Sequence, residues 1–186
     1  MVFNLPNTLT WIRILAIPLI VVLFFLPVSW AGPAAGVLFA IAGITDYFDG
    51  YLARKLGQTS RFGAFLDPVA DKLVVATALV LIVQRDPQVY LAIIAAIIIG
   101  REITVSALRE WMSEVGASAK VAVSWFGKWK TTAQIVGISL MLFQEPIGPF
   151  DVYTTGLVLL LIAAGLTILS MLDYLRSALP ALRDNS

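Results

Sequence analysis

The 186-residue chain contains no cysteine and no histidine. Disulfides, thiol nucleophiles, imidazole bases and histidine-bound zinc are therefore excluded, and any chemistry must rest on Asp, Glu, Lys, Arg, hydroxyl groups and hard metal ions. Charge is scarce as well, at 13% of residues. No basic segment precedes the first apolar run and no small-residue cleavage site follows it, so "MVFNLPNTLTWIRILAIPLIVVLFFLPVSWAG" is expected to be a retained helix and not a signal peptide. An internal inverted repeat of the kind many transporters carry is also missing.

What the chain has in abundance is apolar surface: 59% of its residues are hydrophobic and the mean hydropathy is +0.88, far from the balance of a soluble domain. Apolar runs broken by Pro, Gly and charge predict six membrane helices near residues 7–27, 32–56, 63–84, 88–114, 127–145 and 152–179. The expected fold is all-α, a single polytopic membrane domain over residues 1–186 with short connections. The fifth helix spans only if "VSWFGKWK" continues it, because about 14 residues from Thr131 to Gln144 are free of charge and a crossing needs ~20. With alternating crossings, Arg54, Lys55, Arg61, Arg109, Lys120, Lys128, Lys130, Arg176 and Arg183 fall on one side and only Arg85 in the opposite loops. That bias places the basic side and both termini in the cytoplasm.

The first strongly polar residue lies at a common depth in five helices. The runs are Leu26 back to Arg13, Ala34 to Asp46, Gln84 back to Lys72, Val89 to Arg101 and Gln144 back to Lys130. Each covers roughly 12 to 14 residues, or about 18 to 21 Å. In a hydrocarbon core of ~30 Å this plane lies roughly 10 Å beneath the basic surface. Charge there is costly unless it faces partners or a shared hydrated cavity, so the sequence implies a polar chamber open to the cytoplasm.

Four carboxylates mark that chamber. Asp46, Asp49, Gly50, Ala53 and Arg54 recur at i, i+3, i+4, i+7 and i+8 on one face of the second helix. Gly63, Asp67 and Asp71 recur at i, i+4 and i+8 on one face of the third, and the short loop between makes the two helices antiparallel neighbours. Pro68 is tolerated if the third helix starts only a few residues earlier. Four anions in a low-dielectric pocket either raise some of their own pKa values or need a cation. With no nitrogen or sulfur ligand, Mg²⁺, Mn²⁺ or Ca²⁺ suits, and two ions sharing an Asp would suit displacement at phosphorus. Gly50 and Ala53 leave room for a ligand against the helix or, alternatively, for tight helix packing.

The pattern D-x2-D-G-x2-A-R-x8-G-x3-D-x3-D resembles the signature of the CDP-alcohol phosphotransferases, and "DYFDGYLARKLGQTSRFGAFLDPVAD" matches every fixed position. The likeness runs on through "NLPNTLTWIRILAIP", "IGREITVSALREWMSEVG" and "VAVSWFGKWKTTAQ", covers nearly the whole chain, and is closest to the bacterial branch that forms phosphatidylglycerophosphate. The resemblance implies CDP-diacylglycerol and sn-glycerol 3-phosphate as substrates, CMP as leaving product, and Mg²⁺ or Mn²⁺, two ions, as cofactor. It further implies a homodimer in the bacterial inner membrane among membrane lipids, with no nucleic-acid partner. Carried over by position, Asp46, Asp49 and Asp67 are metal ligands. Asp71 is the general base and touches a metal, and Asp49, Gly50, Ala53, Arg54 and Gly63 hold the CDP part.

The remaining polar residues keep two readings each. Asn7, Thr10 and Arg13 recur every three residues and are placed either to reach CDP-diacylglycerol or to form a plain helix start with an interfacial Arg. Arg101, with Arg109 two turns on and Lys128 and Lys130 on the fifth helix, suits the phosphate of glycerol 3-phosphate or ordinary inner-face anchoring. Trp11, Trp30, Trp111, Trp125 and Trp129 near helix ends read as an interface belt sooner than as base-stacking platforms. Rival functions are a sibling enzyme with a serine, inositol-phosphate or cardiolipin-type acceptor, a divalent-cation transporter, or a packing scaffold. Basic residues at the depth of the carboxylates oppose a permeating cation.

Overall fold

In a bilayer, apolar runs of this length satisfy their backbone groups as helices, and the computed structural model of the chain contains six among the residues it describes. It describes residues 5–56, 61–114 and 125–184, with side chains over 10–45, 66–114 and 129–176. The helices are α1 (Leu5–Phe25), α2 (Ala31–Leu56), α3 (Arg61–Arg85), α4 (Val89–Glu114), α5 (Trp125–Phe143) and α6 (Val152–Asp184). Each lies within a few residues of its predicted span. α5 does continue through "WFGKWK", and its 19 residues reach about 28 Å.

Helix ends follow local chemistry. Pro27 and Pro87 stand just beyond α1 and α3, where a residue without N–H cannot extend the ladder. Gln144 closes α5 in the left-handed region, at φ 66°. Asp151 caps α6, its carboxylate accepting the Thr154 N–H at 3.0 Å and the Thr154 hydroxyl at 2.5 Å. These two bonds favour the ionised form and hold the Asp151 carboxyl below its ordinary value.

Large apolar side chains cover the outside of the bundle while some charge is buried within it. Leu15, Val80 and Leu169 are 60 to 65% exposed, while Arg13 and Lys130 are 2% and 3% exposed. The apolar core, built on Ile20, Phe39, Leu79, Ile98, Ile138 and Leu160, fills the half of the bundle at which α1, α3 and α5 end. The opposite half buries Thr10, Arg13, Lys130, Gln134 and Thr167.

Glycines set which helices meet. A Cβ on Gly36 of α2 would stand 2.6 Å from the Ser139 carbonyl of α5, and one on Gly43 would meet Ile135 at 2.8 Å. Gly137 of α5 and Gly156 of α6 face one another so closely that a Cβ on either would lie 2.8 to 2.9 Å from the other's carbonyl oxygen. This contact underlies the extensive α5–α6 packing. The glycines of α2 thereby commit it to α5, and it packs against α1 as well. Among the described residues it touches α3 at few points, and α1 packs against both α2 and α3. Pro68 also lies deeper in its helix than expected, because α3 starts at Arg61.

Candidate active site

α1 and α3 run parallel, since Thr10, Arg13 and Phe24 meet Asp67, Asp71 and Arg85 in the same order. The Thr10 hydroxyl donates to Asp67 Oδ1, and Arg13 Nη1 donates to Asp71 Oδ1. Three residues on α1 rise about 4.5 Å and four on α3 about 6 Å, each close to one turn, so both pairs form along one face of each helix. The Arg13 side chain is 1% exposed and that of Asp71 is 37% exposed, so the cation backs the carboxylate while the carboxylate faces open space. At the far end Arg85 donates to the Phe24 carbonyl at 3.1 Å and lies over its ring at 4.1 Å, which ties the two helices at both ends.

A second charged group joins α4, α5 and α6. Arg101 Nη1 donates to Glu102 Oε1 at 3.0 Å, Arg101 Nη2 to Ser170 Oγ at 3.2 Å, and Lys130 Nζ to the same Glu102 oxygen at 3.2 Å. Between the two groups Lys72 donates to the Ser106 hydroxyl. The polar contacts thus link α1 to α3, α3 to α4, and α4 to both α5 and α6. They bring together Thr10 with Asp67, Arg13 with Asp71, and Arg101 with Lys130 through Glu102. Arg109 is not brought to that last pair: two turns along α4, its Nε donates to the Tyr174 hydroxyl at 3.2 Å. Asp46, Asp49, Gly50, Ala53 and Arg54 lie on α2, Gly63 on α3, Asn7 on α1 and Lys128 on α5, with side chains outside the described residues.

Residues 3–169 match the family model described as CDP-alcohol phosphatidyltransferase. The chain belongs to that family. Its relative from Escherichia coli (strain K12), named CDP-diacylglycerol--glycerol-3-phosphate 3-phosphatidyltransferase, is 49% identical over 184 residues, which covers 99% of this chain and 100% of the relative. The proteins of the same name from Escherichia coli O157:H7 and Shigella sonnei (strain Ss046) match to the same extent.

For a CDP-alcohol phosphatidyltransferase, a polar layer inside an apolar bundle is the candidate reaction site. Its carboxylates on α3 come in one-turn spacing and offer only oxygen donors, the set that hard divalent cations take. Sequence reasoning missed Glu102, Ser106, Ser170 and Tyr174 as partners. Glu102 carried a signal in its position beside Arg101 at the charged depth. Ser106, Ser170 and Tyr174 carried none, since hydroxyls in membrane helices more often bond to their own backbone.

Proposed function

We propose that the protein transfers a phosphatidyl group from CDP-diacylglycerol to sn-glycerol 3-phosphate, giving phosphatidylglycerophosphate and CMP. The observation that carries this reading is the end-to-end 49% identity with relatives of that activity. The polar half of the bundle suits the reaction physically. The acyl chains of one substrate stay in the bilayer, the other substrate is water-soluble, and a polar layer beneath the basic surface meets both.

In this reading Asp46, Asp49, Asp67 and Asp71 hold the divalent ions, Mg²⁺ or Mn²⁺, and Gly50, Ala53, Arg54, Gly63 and Asn7 receive the CDP part. When bound, the ions supply charge neutralisation on the pyrophosphate. Thr10 and Arg13 orient Asp67 and Asp71 from behind, which holds the two carboxylates toward the open side before substrate arrives. An acceptor hydroxyl oxygen forms the new bond to the phosphorus that carries diacylglycerol, the bond from that phosphorus to the CMP oxygen breaks, and the hydroxyl proton passes to Asp71. Arg101, Lys128 and Lys130 hold the acceptor phosphate, and Arg109 stands nearer the basic surface on the approach. The active site and both termini face the cytoplasm, and the enzyme is a homodimer in the inner membrane.

The test supplies purified protein with CDP-diacylglycerol and Mg²⁺ or Mn²⁺, then compares glycerol 3-phosphate, serine and inositol phosphate by CMP release. Glycerol 3-phosphate is expected to support turnover far above the others. Preferential turnover with serine or inositol phosphate would move the protein to a sibling activity.

A further inference from the structure

Arg101 and Lys130 share one carboxylate oxygen, Glu102 Oε1, at 3.0 and 3.2 Å. The side chains of Arg101 and Lys130 are 13% and 3% exposed, whereas that of Glu102 is 30% exposed, so the carboxylate covers the two cations from the more open side. Arg101 Nη2 is engaged by Ser170, but its Nε is buried with no hydrogen-bond partner among the described residues. A buried lysine, a half-buried arginine with a spare donor and an anion lying over them make an anion site that the chain fills with its own carboxylate.

We propose that Glu102 is a built-in competitor at the acceptor-phosphate site, which makes the site select phosphomonoester dianions and reject phosphodiester monoanions. The inference rests on the acceptor site assigned above. Its physical basis is the surroundings. The site lies in a membrane whose phospholipid headgroups are phosphodiesters of single negative charge, present at high local concentration. Two bare cations would bind them. With Glu102 in place the net charge of the trio falls from +2 to +1, and a monoanion gains too little to displace a carboxylate already hydrogen-bonded to both cations. A phosphomonoester carries up to twice that charge and three acceptor oxygens, enough to take over both cations and the free Arg101 Nε–H. Glu102 is thus a specificity-determining residue that acts on the acceptor through Arg101 and Lys130.

The experiment compares wild type, Glu102→Gln and Glu102→Asp with inorganic phosphate as the dianion and dimethyl phosphate as the diester monoanion. Each anion is measured as a competitor of glycerol 3-phosphate in CMP release, and by the rise in melting temperature it causes in detergent without CDP-diacylglycerol. Glu102→Gln keeps shape and one acceptor but removes the charge. The ratio of the inhibition constants, dimethyl phosphate over inorganic phosphate, should fall by roughly tenfold, with dimethyl phosphate now raising the melting temperature. Glu102→Asp keeps the charge and should stay near wild type. An unchanged ratio in Glu102→Gln, with wild type turning over glycerol 3-phosphate normally, overturns this inference and leaves the activity standing. Equal effects of Gln and Asp overturn it too, since they would assign Glu102 to packing alone. If another acceptor proves to be preferred while the melting shifts still relax in Glu102→Gln, the acceptor assignment falls and the competitor role stands.

Discussion

Arg13 shows how a single residue links membrane burial to chemistry. A guanidinium removed from both water and lipid needs an anion, and Asp71 supplies it from the neighbouring helix while remaining 37% exposed itself. Asp71→Asn keeps the shape of the side chain and an oxygen for Arg13 to donate to, but removes the carboxylate proposed to accept the proton. Steady-state CMP release should show kcat falling by orders of magnitude with the KM for CDP-diacylglycerol nearly constant. A variant defective only in KM would reassign Asp71 to substrate holding. Arg101→Ala should do the reverse. Losing one charge-assisted contact costs roughly 1.5 to 3 kcal/mol, so the KM for glycerol 3-phosphate should rise about 10- to 150-fold while that for CDP-diacylglycerol stays put. Arg101→Lys should not rescue it, because the native guanidinium reaches Glu102 and Ser170 with two separate nitrogens at 3.0 and 3.2 Å.

Between helices the decisive contacts are backbone to backbone. Gly36→Ala and Gly156→Ala each put a methyl group within 2.8 Å of atoms of a neighbouring helix, in part backbone that cannot turn aside. Each should cost about 1 to 3 kcal/mol, read as a lower melting temperature in detergent. Gly100 and Gly165 have nothing within 4 Å of a built Cβ. Ala at those positions should be neutral or stabilising by up to about 1 kcal/mol through helix propensity, so four variants in one assay separate packing from propensity. The cap of α6 gives a pH signature. Asp151 is held below its ordinary pKa by the Thr154 hydroxyl and N–H, so its contribution is fully present above the unfolded carboxyl's value and is lost as pH falls through the lowered one. The melting-temperature gap between wild type and Asp151→Ala should therefore hold at neutral pH and close in acid. A gap that persists in strong acid would assign the effect to something other than the ionised cap.

At the scale of the whole molecule, six helices divide into an apolar half that carries stability and a polar half that carries charge. If the carboxylates of α2 and α3 hold divalent ions, EDTA should abolish CMP release, and Mg²⁺ or Mn²⁺ should restore it without refolding; full turnover in EDTA would remove the metal from the reaction. Hydropathy and helical period determined much of this in advance, because a bilayer fixes the length of each span and a 3.6-residue period fixes which residues share a face. The six helices, the one-face spacing of Asp67 and Asp71, and the shared depth of Arg13, Lys72, Arg101 and Lys130 were all legible along the chain. Which helix stands beside which was not. A one-dimensional pattern places a residue along and around its own axis and says nothing of the helix opposite, so only the tertiary structure paired Arg13 with Asp71 and Lys130 with Glu102. For the same reason it alone turned Arg109 toward Tyr174, and it alone set α1 against both α2 and α3. Those choices were made by close glycine contacts and by the need of each buried charge for a partner, and both depend on distances across the bundle that no local spacing encodes.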